Sequence, residues 1–277
     1  HGPLRGTDRR RGADSTALVA LAVESGCHVT AVHVHHGLRS SADVDADIAR
    51  ATAKHFDVPF RSIDVDLTDG PNLEARARSA RRDALGADAL TGHTADDQAE
   101  TVLLALLRGS GAAGLGAIGP GWRHPILALR RAETEALCER LGLTIANDPT
   151  NDDGRFRRNR IRHELLPLLD DIADRDVTVL LARTADLLRA DEQYLDELAA
   201  HIDPMDIHAL GAAPGVLAAR AIRQWLELDG YPPDTDTVRR VLAVAGGLAS
   251  ACEVAGGRRV ERHGDRLHLG LTPPPNR

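Results

Sequence analysis

Between residues 15 and 108, short runs rich in β-branched residues alternate with stretches of helix length, which limits this part of the chain to a sheet wound with helices. STALVALAVES (15–25) has helical periodicity, and HVTAVHV (28–34) alternates as a strand does. Residues 41–56 form a second helical stretch and PFRSIDV (59–65) a second strand. NLEARARSARRDAL (72–85) opens on Asn72 as N-cap and continues as an Ala/Arg-rich helix. ADALT (87–91) reads as a short strand and 95–108 as a helix, ended by the Gly-rich stretch 109–121. This order predicts an α/β fold with a parallel sheet covered by helices on both faces. The pattern changes near Asp170–Asp174. Beyond it, 176–200, 214–229 and 234–246 read as amphipathic helices, and 251–271 as a small hairpin. The expected domains are therefore 1–170 (α/β) and 171–277 (mainly helical).

Composition narrows the function. Lys54, in Ala-Lys-His, is the only lysine, so the Gly-Lys-Ser/Thr of a Walker A loop is absent, and nucleotide binding would need another device. The formal charge of −7 does not mark a nucleic-acid binder, but the arginines are clustered, and placement matters more than the sum. Three widely separated cysteines, with no CxxC pair, fit a reducing compartment and exclude a cysteine zinc ribbon. No apolar run approaches the roughly 18 residues of a membrane span. The basic stretch His1–Arg11 leads into no apolar signal region, so a cytoplasmic location is expected. His1 in place of Met is expected to mark a fragment boundary, a processed end or an unusual start.

Three stretches carry chemistry. TGHTADDQAET (91–101) follows a strand and opens a helix, where open α/β sheets place ligands. Asp97 and Glu100 are three apart and share a helix face, whereas Asp96 points elsewhere. Two carboxylates there suit a cation or a metal; they equally suit a solvated first turn complementing the helix dipole. His93 with Asp97 also allows a hydrolase-type metal pair, and His33, His35 and His36 near a strand end read as structural. RFRRNRIR (155–162) holds five arginines, a candidate RNA-backbone site or a surface helix start with ordinary ion pairs. Arg76, Arg78, Arg81 and Arg82 form a second series. Arg10-Arg11-Gly12-Ala13-Asp14-Ser15 precedes the first helix, where an N-terminus can bind an anion.

Taken together these stretches resemble the tRNA(Ile)-lysidine synthetases, N-type ATP pyrophosphatases with a PP-loop and a Rossmann-like, five-stranded type of sheet. The family pattern SGGxDS falls on 10–15, where Gly12, Asp14 and Ser15 match. HVHHGLR (33–39), NLEARARSAR (72–81), TGHTADDQAETVLLALLRGSGAAGL (91–115) and DPTNDDGRFRRNRIRHELLPLL (148–169) match further family segments. The resemblance implies ATP-dependent transfer of L-lysine to C2 of the wobble cytidine of tRNA(Ile) with a CAU anticodon, through an adenylated cytidine. It places ATP at Arg10, Arg11, Gly12, Ala13, Asp14 and Ser15, with Val34 beside the adenine and Asp14 as a Mg²⁺ ligand. Lysine binding and catalysis fall to His93, Asp97, Glu100, Arg78 and Arg108, and tRNA contact to Arg155, Arg158, Asn159 and Arg162. It implies 171–277 as an appended tRNA-binding region, and is compatible with a homodimer.

Arg10 and Arg11 depart from that pattern, standing where the family has Ser and Gly, and HGPLRGTDR replaces an apolar strand. A reading-frame shift near codons 9–12 is the expected cause. Three rivals follow: a catalytically impaired tRNA-binding relative, another PP-loop enzyme such as a tRNA thiolase or an amidotransferase, and a metal hydrolase.

Overall fold

The computed structural model describes residues 12–35, 42–65, 76, 80, 83–86, 88–145, 154, 156–228 and 231–272. By compactness the chain divides into His1–Leu188 and Arg189–Arg277. That division falls inside one continuous helix, Val177–Ala200, and so later than the boundary at 170 read from the sequence.

In the first unit, α1 (Ala13–Glu24) leads to β1 (Ala31–His35), α2 (Ala42–His55) and β2 (Phe60–Asp64). β1 and β2 pair in parallel, with Ala31 opposite Phe60 and Val34 opposite Ile63, so α2 is the crossover that parallel pairing requires. These elements match the stretches expected over 15–65. The strand expected at 87–91 is not formed among the described residues there; Thr91 N–H instead donates to the Arg123 carbonyl. A strand exists only through a partner ladder, which local sequence does not specify.

α3 (Ala95–Leu107) begins at Thr94, whose N–H and hydroxyl both bond Asp97 Oδ2. The buried Gln98 exchanges two bonds with the Ile118 backbone and so pins the Gly-rich stretch, which contains the short α4 (Ala112–Leu115), onto α3. α5 (Arg131–Arg140), a helix the sequence reading did not propose, packs on α1 around Ala13, Ala17 and the buried Cys138. α6 (Arg157–Arg160) runs through a π-helical turn (Ile161–Leu165) into α7 (Leu166–Ala173). Ile161 and Leu166 bury against Ala99 and Leu103, which holds the arginine-rich segment on α3.

The long helix α8 (Val177–Ala200) enters the second unit. There α9 (Ile207–Ala212), α10 (Gly215–Leu226) and α11 (Thr235–Ala245) pack around Ile222, Val241, Val244, Val260 and Leu267. The tail forms β3 (Ala251–Val254), β4 (Arg258–His263) and β5 (Arg266–Leu271), an antiparallel three-stranded sheet rather than the hairpin expected. Among the described residues, no helix is long and apolar enough to cross a membrane.

Candidate functional site

The start of α1 and the start of α3 meet. Gly12 caps α1 in the left-handed region at φ 109, which glycine adopts without strain. Gly92, just before α3, lies against the peptide that follows Asp14. A Cβ on Gly92 would stand 2.7 Å from the Asp14 carbonyl carbon and oxygen and 2.9 Å from Ser15 N. Only glycine permits that approach, because the obstructing atoms are backbone.

Asp14, on the first turn of α1, accepts from Thr134 Oγ1, and its Oδ2 lies 3.5 Å from Arg131 Nε. Burial raises the Asp14 pKa, against the opposing pull of Arg131 and Thr134. Ser15 is exposed, and its hydroxyl donates back to Gly12 O. Ala13 is buried under α5, close to Cys138, whose thiol is pushed up to about 11 by burial and by Asp14 and Glu135. Val34 is half-buried on β1.

Arg131 joins this end of the molecule to α3. Its Nη2 lies 3.3 Å from Asp97 Oδ1 and its Nη1 3.4 Å from Glu100 Oε1, with the side chain only 11% exposed. Burial of Arg131 disfavours its charge, but Asp97, Glu100 and Asp14 outweigh that and leave its pKa raised. For Asp97 burial acts upward, while Arg131 and Arg158 act downward and prevail, so its pKa is lowered. Asp96 turns the other way, as its helical position requires, to Arg130 Nε and Nη2 at 3.1 Å and to Arg131 N–H at 2.8 Å. Arg130 also pairs with Asp176.

Glu100 was expected to receive a ligand ammonium. It is instead 0% exposed and enclosed by guanidinium groups. Arg162 Nε donates to Oε1 at 2.7 Å, and Arg158 Nε lies 3.0 Å from Oε2, an ion pair outside hydrogen-bond alignment. Arg158 Nη2 also donates to Thr101 Oγ1 at 2.8 Å. The expectation that Arg158, Asn159 and Arg162 face RNA needs the same correction. Arg158 and Arg162 are each 12% exposed and turned inward, four residues apart on one face, and Asn159 is buried. The segment folds this way because Ile161 and Leu166 anchor it on α3. Arg157 and Arg160 are the exposed members, and Arg160 pairs with Glu164.

His93 is half-buried beside His124, with Nδ1 atoms 3.2 Å apart and Thr91 Oγ1 2.7 Å from each. Burial and then Arg123 lower the His124 pKa. Arg108 is exposed at the C-terminal cap of α3, roughly 16 Å along the axis from Asp97, so the structure does not bring it into this cluster. Arg10, Arg11, Arg78 and Arg155 lie outside the described residues. Among the described residues, no three His, Cys, Asp or Glu side chains are grouped to hold a metal.

Arg131, Thr134 and His124 were not anticipated. The signal for the first was present: two successive arginines, Arg130 and Arg131, open a helix whose dipole disfavours cations there.

Residues 11–169 match the PP-loop domain family. The tRNA(Ile)-lysidine synthase of Nocardia farcinica is 43% identical, over 83% of this chain and 78% of its own. Those of Rhodococcus erythropolis (40%; 94% and 87%) and Mycobacterium tuberculosis (42%; 81% and 75%) are similarly related. Among solved structures, the U34-tRNA thiolase NcsA of Methanococcus maripaludis, with its [4Fe-4S] cluster, superimposes with a TM-score of 0.50. It is 18% identical and matches over 64% of this chain and 70% of that one, a likeness of fold. By sequence and by fold, the chain belongs to the PP-loop family of tRNA(Ile)-lysidine synthases.

Proposed function

We propose that this chain ligates L-lysine to C2 of the wobble cytidine of a tRNA(Ile) with a CAU anticodon, using ATP. The observation that carries the reading is the approach of Gly92 to the Asp14–Ser15 peptide, with Arg131 shared between Asp14 and Asp97. That proximity supports reading the α1 start and the TGHTADDQAET segment as one site.

In the first step the cytidine C2 oxygen attacks the α-phosphorus of ATP, and pyrophosphate leaves. The N-terminus of α1, with Gly12 and Ser15, receives phosphate charge on its free N–H groups. Asp14 fits a role at Mg²⁺. Its side chain is one-fifth exposed, and Mg²⁺ sites on nucleotides use one or two carboxylates, with phosphates and water completing the shell. The ion would neutralise phosphate charge. Val34, at the end of β1, borders the adenine.

In the second step the lysine ε-amine attacks C2, a C–N bond forms, and AMP leaves. Asp97 is the carboxylate for the lysine ammonium: its two oxygens have lone pairs beyond those given to Thr94 and Arg131. The amine starts protonated, with an ordinary pKa of about 10.4, and must lose that proton. His93 would take it, and Thr91, bonded to both His93 and His124, supports that role by orienting the ring. Glu100 holds Arg131, Arg158 and Arg162 in place. Arg78 would add positive charge, and RNA contact falls to Arg155, Arg157 and residues 171–277.

The test supplies tRNA(Ile) bearing CAU, ATP and labelled lysine to the chain as it stands and to Arg10→Ser/Arg11→Gly. Lysine entering tRNA with one AMP per event supports the reading; no incorporation by either form refutes it. Arg10 and Arg11 favour a second reading, a catalytically impaired tRNA-binding relative. Activity confined to the restored loop would establish that one.

A further inference from the structure

We infer that Arg131 couples the nucleotide side of the site to the amino-acid side, so that ATP at the start of α1 opens Asp97 to lysine. This deepens the functional reading above and rests on it. The geometry is specific. One guanidinium directs Nε to Asp14, Nη2 to Asp97 and Nη1 to Glu100, a separate nitrogen for each carboxylate. The three carboxylates come from two elements far apart in sequence, α1 and α3, and the arginine from a third, α5.

The placement of Arg131 is costly for ordinary stability. It is the first residue of α5, where the helix dipole repels a cation, and it follows a second arginine. It is nearly buried, which adds desolvation. The backbone, by contrast, is held firmly: Arg131 N–H donates to Asp96 Oδ2, and the Thr134 hydroxyl, one turn on, bonds both the Arg131 carbonyl and Asp14. A fixed backbone with a side chain spread over three anions allows the balance among those contacts to shift when charge is added on one side.

All three contacts are long for charge-assisted hydrogen bonds, at 3.3 to 3.5 Å. A polyphosphate arriving beside Asp14 stays net anionic even with one Mg²⁺ bound, so it adds negative charge on that side and draws the guanidinium toward it. Its hold on Asp97 then weakens, and the carboxylate is released to an incoming ammonium. Glu100 anchors the third nitrogen and is itself fixed by Arg158 and Arg162, so the movement pivots on Glu100. Lysine in place of arginine could not do this, because its ammonium is a single point of charge.

The experiment measures binding, with no turnover. L-Lysine affinity is determined by calorimetry with and without Mg²⁺ and an ATP analogue whose α,β bridge is a methylene, for the full chain, Arg131→Met and Arg131→Lys. The unsubstituted chain is expected to bind lysine at least ~5-fold more tightly with the analogue, and the analogue correspondingly more tightly with lysine, since coupling is reciprocal. In both variants the factor falls to about 1, while thermal unfolding confirms a folded chain. A merely structural role would weaken both ligands and leave the factor intact. Arg131→Lys keeps a buried cation and stands in should Arg131→Met not fold. A factor preserved in a folded variant, or absent from a full chain that binds both ligands, overturns the inference alone. Should neither the full chain nor Arg10→Ser/Arg11→Gly bind the analogue, the functional reading falls and the inference with it.

Discussion

Replacing Glu100 by Gln keeps the shape of the side chain and removes the charge that three guanidinium groups share. Each pair, with charges about 4 Å apart and an effective dielectric near 20, attracts by roughly 4 kcal/mol. Most of that gain is consumed by desolvation, which costs several kcal/mol for each buried ion. The substitution recovers the desolvation of Glu100 alone. Arg131, Arg158 and Arg162 remain buried, at 11–12% exposed, with Asp97, Asp14 and Thr101 as their remaining partners among those described above. Removing one member of such a buried group costs about 3–5 kcal/mol. For a unit of 188 residues, that lowers the unfolding midpoint by about 6–20 °C. Thermal unfolding followed by far-UV circular dichroism reads it, with Glu164→Gln as the control, since the Glu164–Arg160 pair is fully on the surface and its loss leaves the midpoint unchanged. A Glu100→Gln chain melting within 2 °C of the parent, a margin on the order of 1 kcal/mol or less, would show that the cluster is not held by this carboxylate.

Gly92→Ala places a methyl group 2.7 Å from the Asp14 backbone, so the α1 start must move. The expected result is a loss of about 1–3 kcal/mol of stability and at least a tenfold weaker grip on the ATP analogue, by calorimetry; unchanged affinity would separate Gly92 from the phosphate site. Acid titration should unfold the first unit through Asp96 and Asp97. Their folded pKa values lie below the ordinary 3.8, so the stability they add is complete above that value and lost as pH falls through the lowered ones. Asp97→Asn should make the unfolding midpoint less dependent on pH below 4; identical slopes would remove Asp97 from the acid transition. Asp14 has the opposite sign, because burial raises its folded pKa, so its contribution is present at low pH and lost as pH rises through that raised value. Asp14→Asn should therefore abolish that loss of stability with rising pH and lose nucleotide binding, and an unfolding midpoint with the parent's pH dependence would contradict the buried-charge argument.

Helices and strands defined by local periodicity were legible in the sequence: α1, β1, α2, β2 and α3 begin and end within a few residues of the expected stretches. What periodicity lacks is partners. ADALT has strand composition but no ladder among the described residues, because pairing depends on chain far away in sequence. ALRRAETEALCERLG lacks a clear apolar periodicity, although Glu133 in the first turn, Arg140 in the last and Gly142 beyond it are ordinary helix signals. At the site, the carboxylates of α3 were legible as a pair on one face. Whether that face looked to solvent or to arginine was not, since Arg131 and Arg162 stand 31 and 62 residues from Glu100.

The run RFRRNRIR shows why charge alone misleads. Five arginines in eight residues read as a surface for phosphate, yet their spacing divides them. Arg158 and Arg162 fall on the face that Ile161 and Leu166 bury, and they meet Glu100 there; Arg157 and Arg160 fall on the opposite, solvated face. Arg162 lies in the π-helical turn Ile161–Leu165, a feature common at functional sites. A guanidinium buried beside a carboxylate can cost as much in desolvation as the pair returns, so such a pair is weak evidence of stability alone. Three such groups around one glutamate, joined through Arg131 to the helix start where phosphate is expected, are best explained by a site whose charges must be exact in place before substrate arrives.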